Sequence, residues 1–152
     1  MKRLLGLLLV MGMVGCGKTV PVSELVRKDG LMYVGDSKTP FTGVAVDKHL
    51  YGKKKSEGTF KDGKQEGLAT IWHENGKKSS EGTFKDGKPD GLVTAWYENG
   101  QKQSEGNFKD GNAEGLSTRW HENGQKKSEE TYKDGKLVSE THWDEEGNEI
   151  KE

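Results

Sequence analysis

The chain holds a single cysteine, Cys16, among 152 residues. One thiol excludes an intramolecular disulfide and a cysteine-based zinc site. Proline is scarce at 3 residues, and apolar residues reach only 30%. The first excludes a collagenous or proline-rich tract, and the second leaves little material for a core. A formal net charge of −1 and a pI of about 6.4 lack the basic excess that nucleic-acid binding requires. What is plentiful is 22 glycines and 32% charged residues, the material of turns and solvated surface. Low hydrophobicity can signal disorder. Here 4 Trp, 4 Tyr and 4 Phe recur at regular places and argue for a fold. The length suits one domain or a repeat array.

Residues 1–15 read as a signal peptide. Met1-Lys2-Arg3 is positive, and Leu4 to Val14 is apolar apart from Gly6 and Gly12. That stretch is too short to span a bilayer. The Met13-Val14-Gly15-Cys16 sequence resembles a bacterial lipobox, with Met13 where most carry Leu. The resemblance implies diacylglycerol on the Cys16 thiol, cleavage before it, and acylation of the new amine. Several acyl chains give stable anchoring. The expected location is the bacterial cell envelope, lipid-anchored, with the outer membrane or periplasmic face favoured. Residues 16–29 show little periodicity and read as a tether.

From residue 30 to residue 150 a repeat of 24 residues governs the chain. Repeats are sought before single elements. Residues 53–76 read KKKSEGTFKDGKQEGLATIWHENG, and 77–100 and 101–124 repeat that pattern. Residues 125–147 form a last unit, one residue short, and 31–52 a diverged first unit with an extra Ser37–Phe41 loop. Each unit carries two turn signals. Asp-Gly or a close relative falls at Gly63, Gly87, Gly111 and Gly135, and Asn-Gly at Gly76, Gly100 and Gly124. Such dipeptides between β-compatible runs are strong hairpin signals. About nine turns predict an elongated, single-layer antiparallel β-meander of about ten strands, all-β, with no helix after the signal peptide.

Loop length sets which face each aromatic takes, because a one-residue change of register flips a strand. Two-residue Asp-Gly turns would pair Lys61 with Lys64 and place Phe60 opposite in face to Trp72. Three-residue loops with glycine in a bulge would put Phe60, Leu68 and Trp72 together. The position before Trp is Ile71, Ala95 and Arg119 in successive units, and a site that accepts arginine reads as solvated. The repeats therefore favour three-residue loops. One apolar face would then carry Phe60, Leu68, Trp72, Phe84, Leu92, Trp96, Phe108, Leu116, Trp120, Tyr132 and Trp143. That face is the candidate binding strip, with mutual burial between units as the alternative.

The Gly-x-x-x-x-Trp-His/Tyr-x-Asn-Gly core with its Gly-x-Phe-x-Asp-Gly arm resembles the MORN repeat family in its variant form, over nearly the whole mature chain. Pro40-Phe41-Thr42-Gly43 is similar to a segment of the YwqK family of toxin–antitoxin antitoxins. An antitoxin meets its toxin in the cytosol, whereas Cys16 directs this chain outward.

Catalytic chemistry finds no seat in the sequence. Ser and Glu of Lys-Ser-Glu-Gly recur in successive units, whereas a catalytic group would occur once. His49, His73 and His121 share one column with Tyr97, and Asp62, Asp86, Asp110 and Asp134 share another. Same-column residues lie two strands, about 9.5 Å, apart, too far to share a metal with Zn–N bonds near 2 Å. No cofactor, metal or small-molecule substrate is expected. The leading expectation is a non-enzymatic protein-binding or scaffold protein, lipid-anchored through Cys16. An antitoxin or immunity-type protein and an envelope glycan-binding module are the alternatives.

Overall fold

The computed structural model describes residues 17–151. The segment expected as a signal peptide, and Cys16, lie outside them. Thirteen strands are present: β1 (Lys18–Pro21), β2 (Leu25–Lys28), β3 (Leu31–Val34), β4 (Gly43–Lys48), β5 (Lys54–Lys61), β6 (Lys64–Trp72), β7 (Lys78–Lys85), β8 (Lys88–Trp96), β9 (Lys102–Lys109), β10 (Asn112–Trp120), β11 (Lys126–Lys133), β12 (Lys136–Trp143) and β13 (Glu149–Ile150). Eleven of them form one sheet in the order β1-β4-β5-β6-β7-β8-β9-β10-β11-β12-β13, and β2 and β3 form a hairpin of their own. From β4 onward every neighbour is antiparallel and consecutive in the chain. The long meander is thus present, and the only helical element among the described residues is a 3-10 turn at Val22–Glu24.

The segment expected as a tether is largely structured. β1 pairs in parallel with β4, from Lys18↔Gly43 to Pro21↔Val46. Val20 is buried with Phe41 and Ala45, the three apolar side chains that form the buried core among the described residues. Leu25 and Val34 of the β2–β3 hairpin pack on the same cluster, as does Phe60, whose ring lies 5.8 Å from that of Phe41. This end of the sheet therefore has a second layer, and the remainder has one. A four-residue strand that buries one side chain leaves no periodicity to read.

The Asp-Gly loops contain two residues, not three. Lys61 pairs with Lys64, Lys85 with Lys88, and Lys109 with Asn112. Asp62 and Gly63 have φ of +49° and +79°, and Asp86 and Gly87 +50° and +81°. Positive φ at both central residues is the type I′ turn, whose twist matches the strands it joins. Asp tolerates this conformation better than most side chains do. The three-residue loop with a glycine bulge does occur, but at the Asn-Gly turns. There the His73 N–H donates to Lys77 O and the Gly76 N–H to His73 O, both at 2.9 Å, with Gly76 at φ +87°.

The shorter loop divides the expected aromatic strip between two faces. Phe60 pairs with Gln65, Gly58 with Ala69, and Ser56 with Ile71, so these residues share a face. Phe84, Phe108 and Tyr132 stand on it in later units by the same pairing. Leu68 pairs with Thr83 and Thr70 with Glu81, which places the Leu and Trp columns on the opposite face. Each of the three middle Asp-Gly hairpins also has a bulge. In the first, Glu66, Gly67 and Leu68 stand opposite Thr59 alone. Two extra residues preserve the face of everything beyond them.

Candidate binding faces

On the Trp face a polar lattice covers the rings. Thr70 is buried and donates to Glu81 Oε2 at 3.1 Å. Lys78 Nζ donates to the same oxygen at 2.6 Å and stands 5.8 Å from the centre of the Trp96 ring. The Lys78 hydrogen bond holds the Glu81 carboxyl below the usual glutamate range against the opposing effect of burial, with Thr70 assisting. Lys54, Lys102 and Lys126 cap Trp72, Trp120 and Trp143 at 5.5, 5.5 and 5.7 Å, a cation–π arrangement in each case. Leu68, Leu92 and Leu116 flank this lattice and remain 54%, 48% and 53% exposed.

The Phe face changes character along the array. Over the first units it is an open groove of about 320 Å³, with Val22, Phe60, Ala69, Ile71, Phe84 and Val93 in its lining. Gly58 and Gly82 form part of its lining; a Cβ on Gly82 would meet Val93 Cγ2 at 3.0 Å. Farther on, the same columns carry Ser117, Arg119, Glu140 and His142. Glu130 takes the place held by Gly58, Gly82 and Gly106 and is 5% exposed. It accepts from Tyr132 Oη at 2.6 Å and Ser128 Oγ at 3.1 Å, and Arg119 Nη1 stands 3.2 Å from it. Burial pushes the Glu130 carboxyl up, and the bonds from Tyr132 and Ser128 with the charge of Arg119 outweigh it, leaving the group below its ordinary range. The bond to Glu130 in turn raises the Tyr132 phenol.

The two long margins of the sheet hold the columns that raised the question of metals. The ring Nε2 atoms of His49, His73 and His121 lie 3.0, 2.9 and 3.0 Å from the carbonyl oxygens of Trp72, Trp96 and Trp143. Tyr97 Oη donates to Trp120 O at 2.8 Å. Asn75 Nδ2 donates to Glu98 O, and Asn99 Nδ2 to Glu122 O, both at 2.9 Å. On the other margin the Asp86 N–H donates to Glu66 Oε2 at 2.9 Å and the Gly87 N–H to Gln65 O at 2.9 Å. Asp110 and Asp134 make the same kind of bond to Asp90 and Glu114. The turns are thus fastened to their neighbours. On one margin this is done by the His column that sequence reasoning weighed as ligands, together with Tyr97 and Asn side chains. On the other it is done by carboxylates that accept from the backbone of the Asp column.

Each fastening of the second kind joins residues 20 apart, and this decides where a structural unit begins and ends. Three segments match the MORN repeat variant. They are residues 65–86, 89–110 and 113–134, each a hairpin centred on an Asn-Gly turn and closed by one of these carboxylate-to-amide bonds. No curated protein matches the chain. The matched segments therefore occupy the middle of the sheet. β1 to β5 and β12–β13 lie outside the matched segments.

Sequence reasoning missed the groove residues Ala69, Ile71 and Val93, and it missed the Glu130 network. The signal for the latter was present: Glu130 breaks a column that holds Gly58, Gly82 and Gly106, and Arg119 breaks the neighbouring column one strand away.

Proposed function

We propose that this protein is a non-enzymatic, protein-binding repeat scaffold, anchored at the bacterial cell envelope by lipid on Cys16. The observation that carries the reading is the division of labour between the faces. Polar side chains of the repeat are spent on fastening one unit to the next and on covering tryptophan. The Phe-face groove is left as a small, largely apolar concavity open to a partner. MORN repeats are binding modules, which agrees with this use. The lipobox-like segment ends at Cys16, and β1 begins at Lys18. A lipid there would hold the sheet edge against the bilayer with almost no slack. Eleven strands would then carry the far edge roughly 48 Å away by strand spacing.

Crosslinking in intact cells, followed by affinity capture of the chain, tests the partner. Val93→Asp in the groove is expected to lose the captured protein, and Leu92→Asp on the other face to keep it. Capture that survives Val93→Asp and fails with Leu92→Asp would move the binding surface to the Trp face.

A further inference from the structure

The first turn on the Asn-Gly margin departs from those that follow it. At its tip Leu50 and Tyr51 stand where later units carry Glu74-Asn75, Glu98-Asn99 and Glu122-Asn123. The backbone of the turn is unchanged. The His49 N–H donates to Lys53 O and the Gly52 N–H to His49 O, both at 2.9 Å, as His73 and Gly76 do one unit on. Nothing in the turn therefore calls for an apolar pair. Leu50 and Tyr51 are 98% and 95% exposed, and the next large apolar residue among those described, Val138, only 63%.

Tyr51 has also given up the fastening role of its column. Asn75 Oδ1 accepts from the Lys77 N–H, and Asn75 Nδ2 donates to Glu98 O, both at 2.9 Å. At the first tip it is Lys53 Nζ that reaches the next turn, donating to Glu74 O at 3.3 Å. Charge changes in the same place. Residues 48–55 hold Lys48, Lys53, Lys54 and Lys55 and no acid. The middle turns carry one Glu each beside one or two Lys, and residues 143–150 at the last turn hold Asp144, Glu145, Glu146 and Glu149 and no Lys or Arg. Lys55 pairs with Asp47 at 3.0 Å. Among the described residues Lys48 and Lys53 have no carboxylate partner.

An apolar pair held out in water among lysines suits the surface of a bilayer. Tyrosine concentrates at the membrane–water interface, an apolar neighbour enters the boundary between headgroups and acyl chains, and lysines beside it are drawn to anionic headgroups. We infer that the Leu50–Tyr51 tip inserts into the surface of an anionic bilayer, as a membrane contact separate from Cys16. The tip joins β4 to β5, and β4 lies beside the edge strand β1, which begins at Lys18. Lys18 stands next to Gly43 at the far end of β4, about 23 Å from Leu50 by strand rise. The inference rests on the proposed envelope location and not on lipid at Cys16. Two contacts at one edge fix the stance of the sheet, which a single flexible anchor does not. The acidic last turn lies at the opposite end of the sheet, away from the anionic surface.

Spin labelling of the full chain is the test. Cys16→Ser removes the native thiol, and the apolar stretch from Leu4 to Val14 remains, so attachment does not depend on a lipid. A nitroxide is placed at Leu50→Cys or, for reference, at Glu98→Cys on the corresponding tip. Vesicles contain phosphatidylcholine with or without phosphatidylglycerol. With phosphatidylglycerol, collisions of the Leu50→Cys label with oxygen are expected to rise severalfold over those with an aqueous nickel complex, and the Glu98→Cys label is expected to stay in water. The rise is expected to vanish in phosphatidylcholine alone and in high salt. It is also expected to vanish with Tyr51→Asp and Lys48→Glu together, with circular dichroism unchanged. A Leu50→Cys label as wet as the Glu98→Cys label overturns the inference, and so does a rise equal in both kinds of vesicle. A label that leaves water only when envelope proteins are added makes the tip a protein contact and overturns it as well. A wild-type chain without labelled palmitate would end the lipid anchor and leave this result standing.

Discussion

Arg119 Nη1 lies 3.2 Å from Glu130 Oε1 across the β10–β11 pair, and each of the two residues is the exception in its own column. Arginine replaces Ile71 and Ala95, and glutamate replaces Gly58, Gly82 and Gly106. The two departures answer one another. A buried carboxylate without partners is costly, and one with three donors is tolerated. Arg119 therefore marks a local polar patch on the Phe face and says nothing about whether the whole face is solvated.

Glu130→Ala is expected to destabilise the protein by about 1–3 kcal/mol, since Ser128 and Tyr132 lose their acceptor. The native carboxyl titrates below its ordinary range. Its contribution is therefore full at neutral pH and is lost as pH falls through the folded-state value. Thermal melts of the two proteins are expected to converge in acid and diverge toward neutrality.

Gly87 has φ of +81°, where a β-branched side chain is strained whatever space surrounds it. Gly87→Val is expected to cost about 1–3 kcal/mol. An unchanged melting temperature would contradict the turn geometry.

Glu114→Ala removes the acceptor for the Asp134 amide and is expected to cost about 0.5–1.5 kcal/mol, the usual net value of one hydrogen bond. Val138→Ala at the equivalent place in the last unit removes no such bond and is expected to change the melting temperature less. Denaturant titration of both variants measures the difference.

Deletion of residues 77–100 joins Gly76 to Gln101 and brings His73 to the Trp120 carbonyl in place of that of Trp96. Gly100-Gln101 is already a junction of this kind. A folded, shorter and less stable protein is expected, since each unit of an array contacts only its neighbours. Circular dichroism with gel filtration checks it; aggregation would show an integrated fold.

Cys16→Ser is expected to leave an uncleaved precursor that takes up no labelled palmitate. A wild-type chain without label that extracts as a soluble protein would end the lipid-anchor reading.

The repeat, the hairpins and the turn glycines were legible because each is a local pattern. Asp62-Gly63 and Asn75-Gly76 announce their turns within two residues. Faces were not legible, since they depend on the parity of a loop, and Arg119 pointed the wrong way for want of its partner across the strand. The distinction between Asp-Gly and Asn-Gly loops also lay hidden. What separates them is backbone conformation: Asp62 and Gly63 both take positive φ, whereas at Asn75-Gly76 only the glycine does. β1 escaped because Val20 is the one residue of that strand to be buried.

The fastenings along both margins have a mechanical consequence. The strands run across the array, so a pull between β1 and β13 loads the sheet crosswise and opens one ladder at a time. Each margin bond must part with the ladder beside it, which couples the release of a turn to that of its neighbour. Extension would then proceed in equal steps, each freeing one unit of 24 residues, or roughly 80 Å of chain. A protein held at one end by a membrane and at the other by a partner would yield to force as a series of discrete clicks and re-form in the same order.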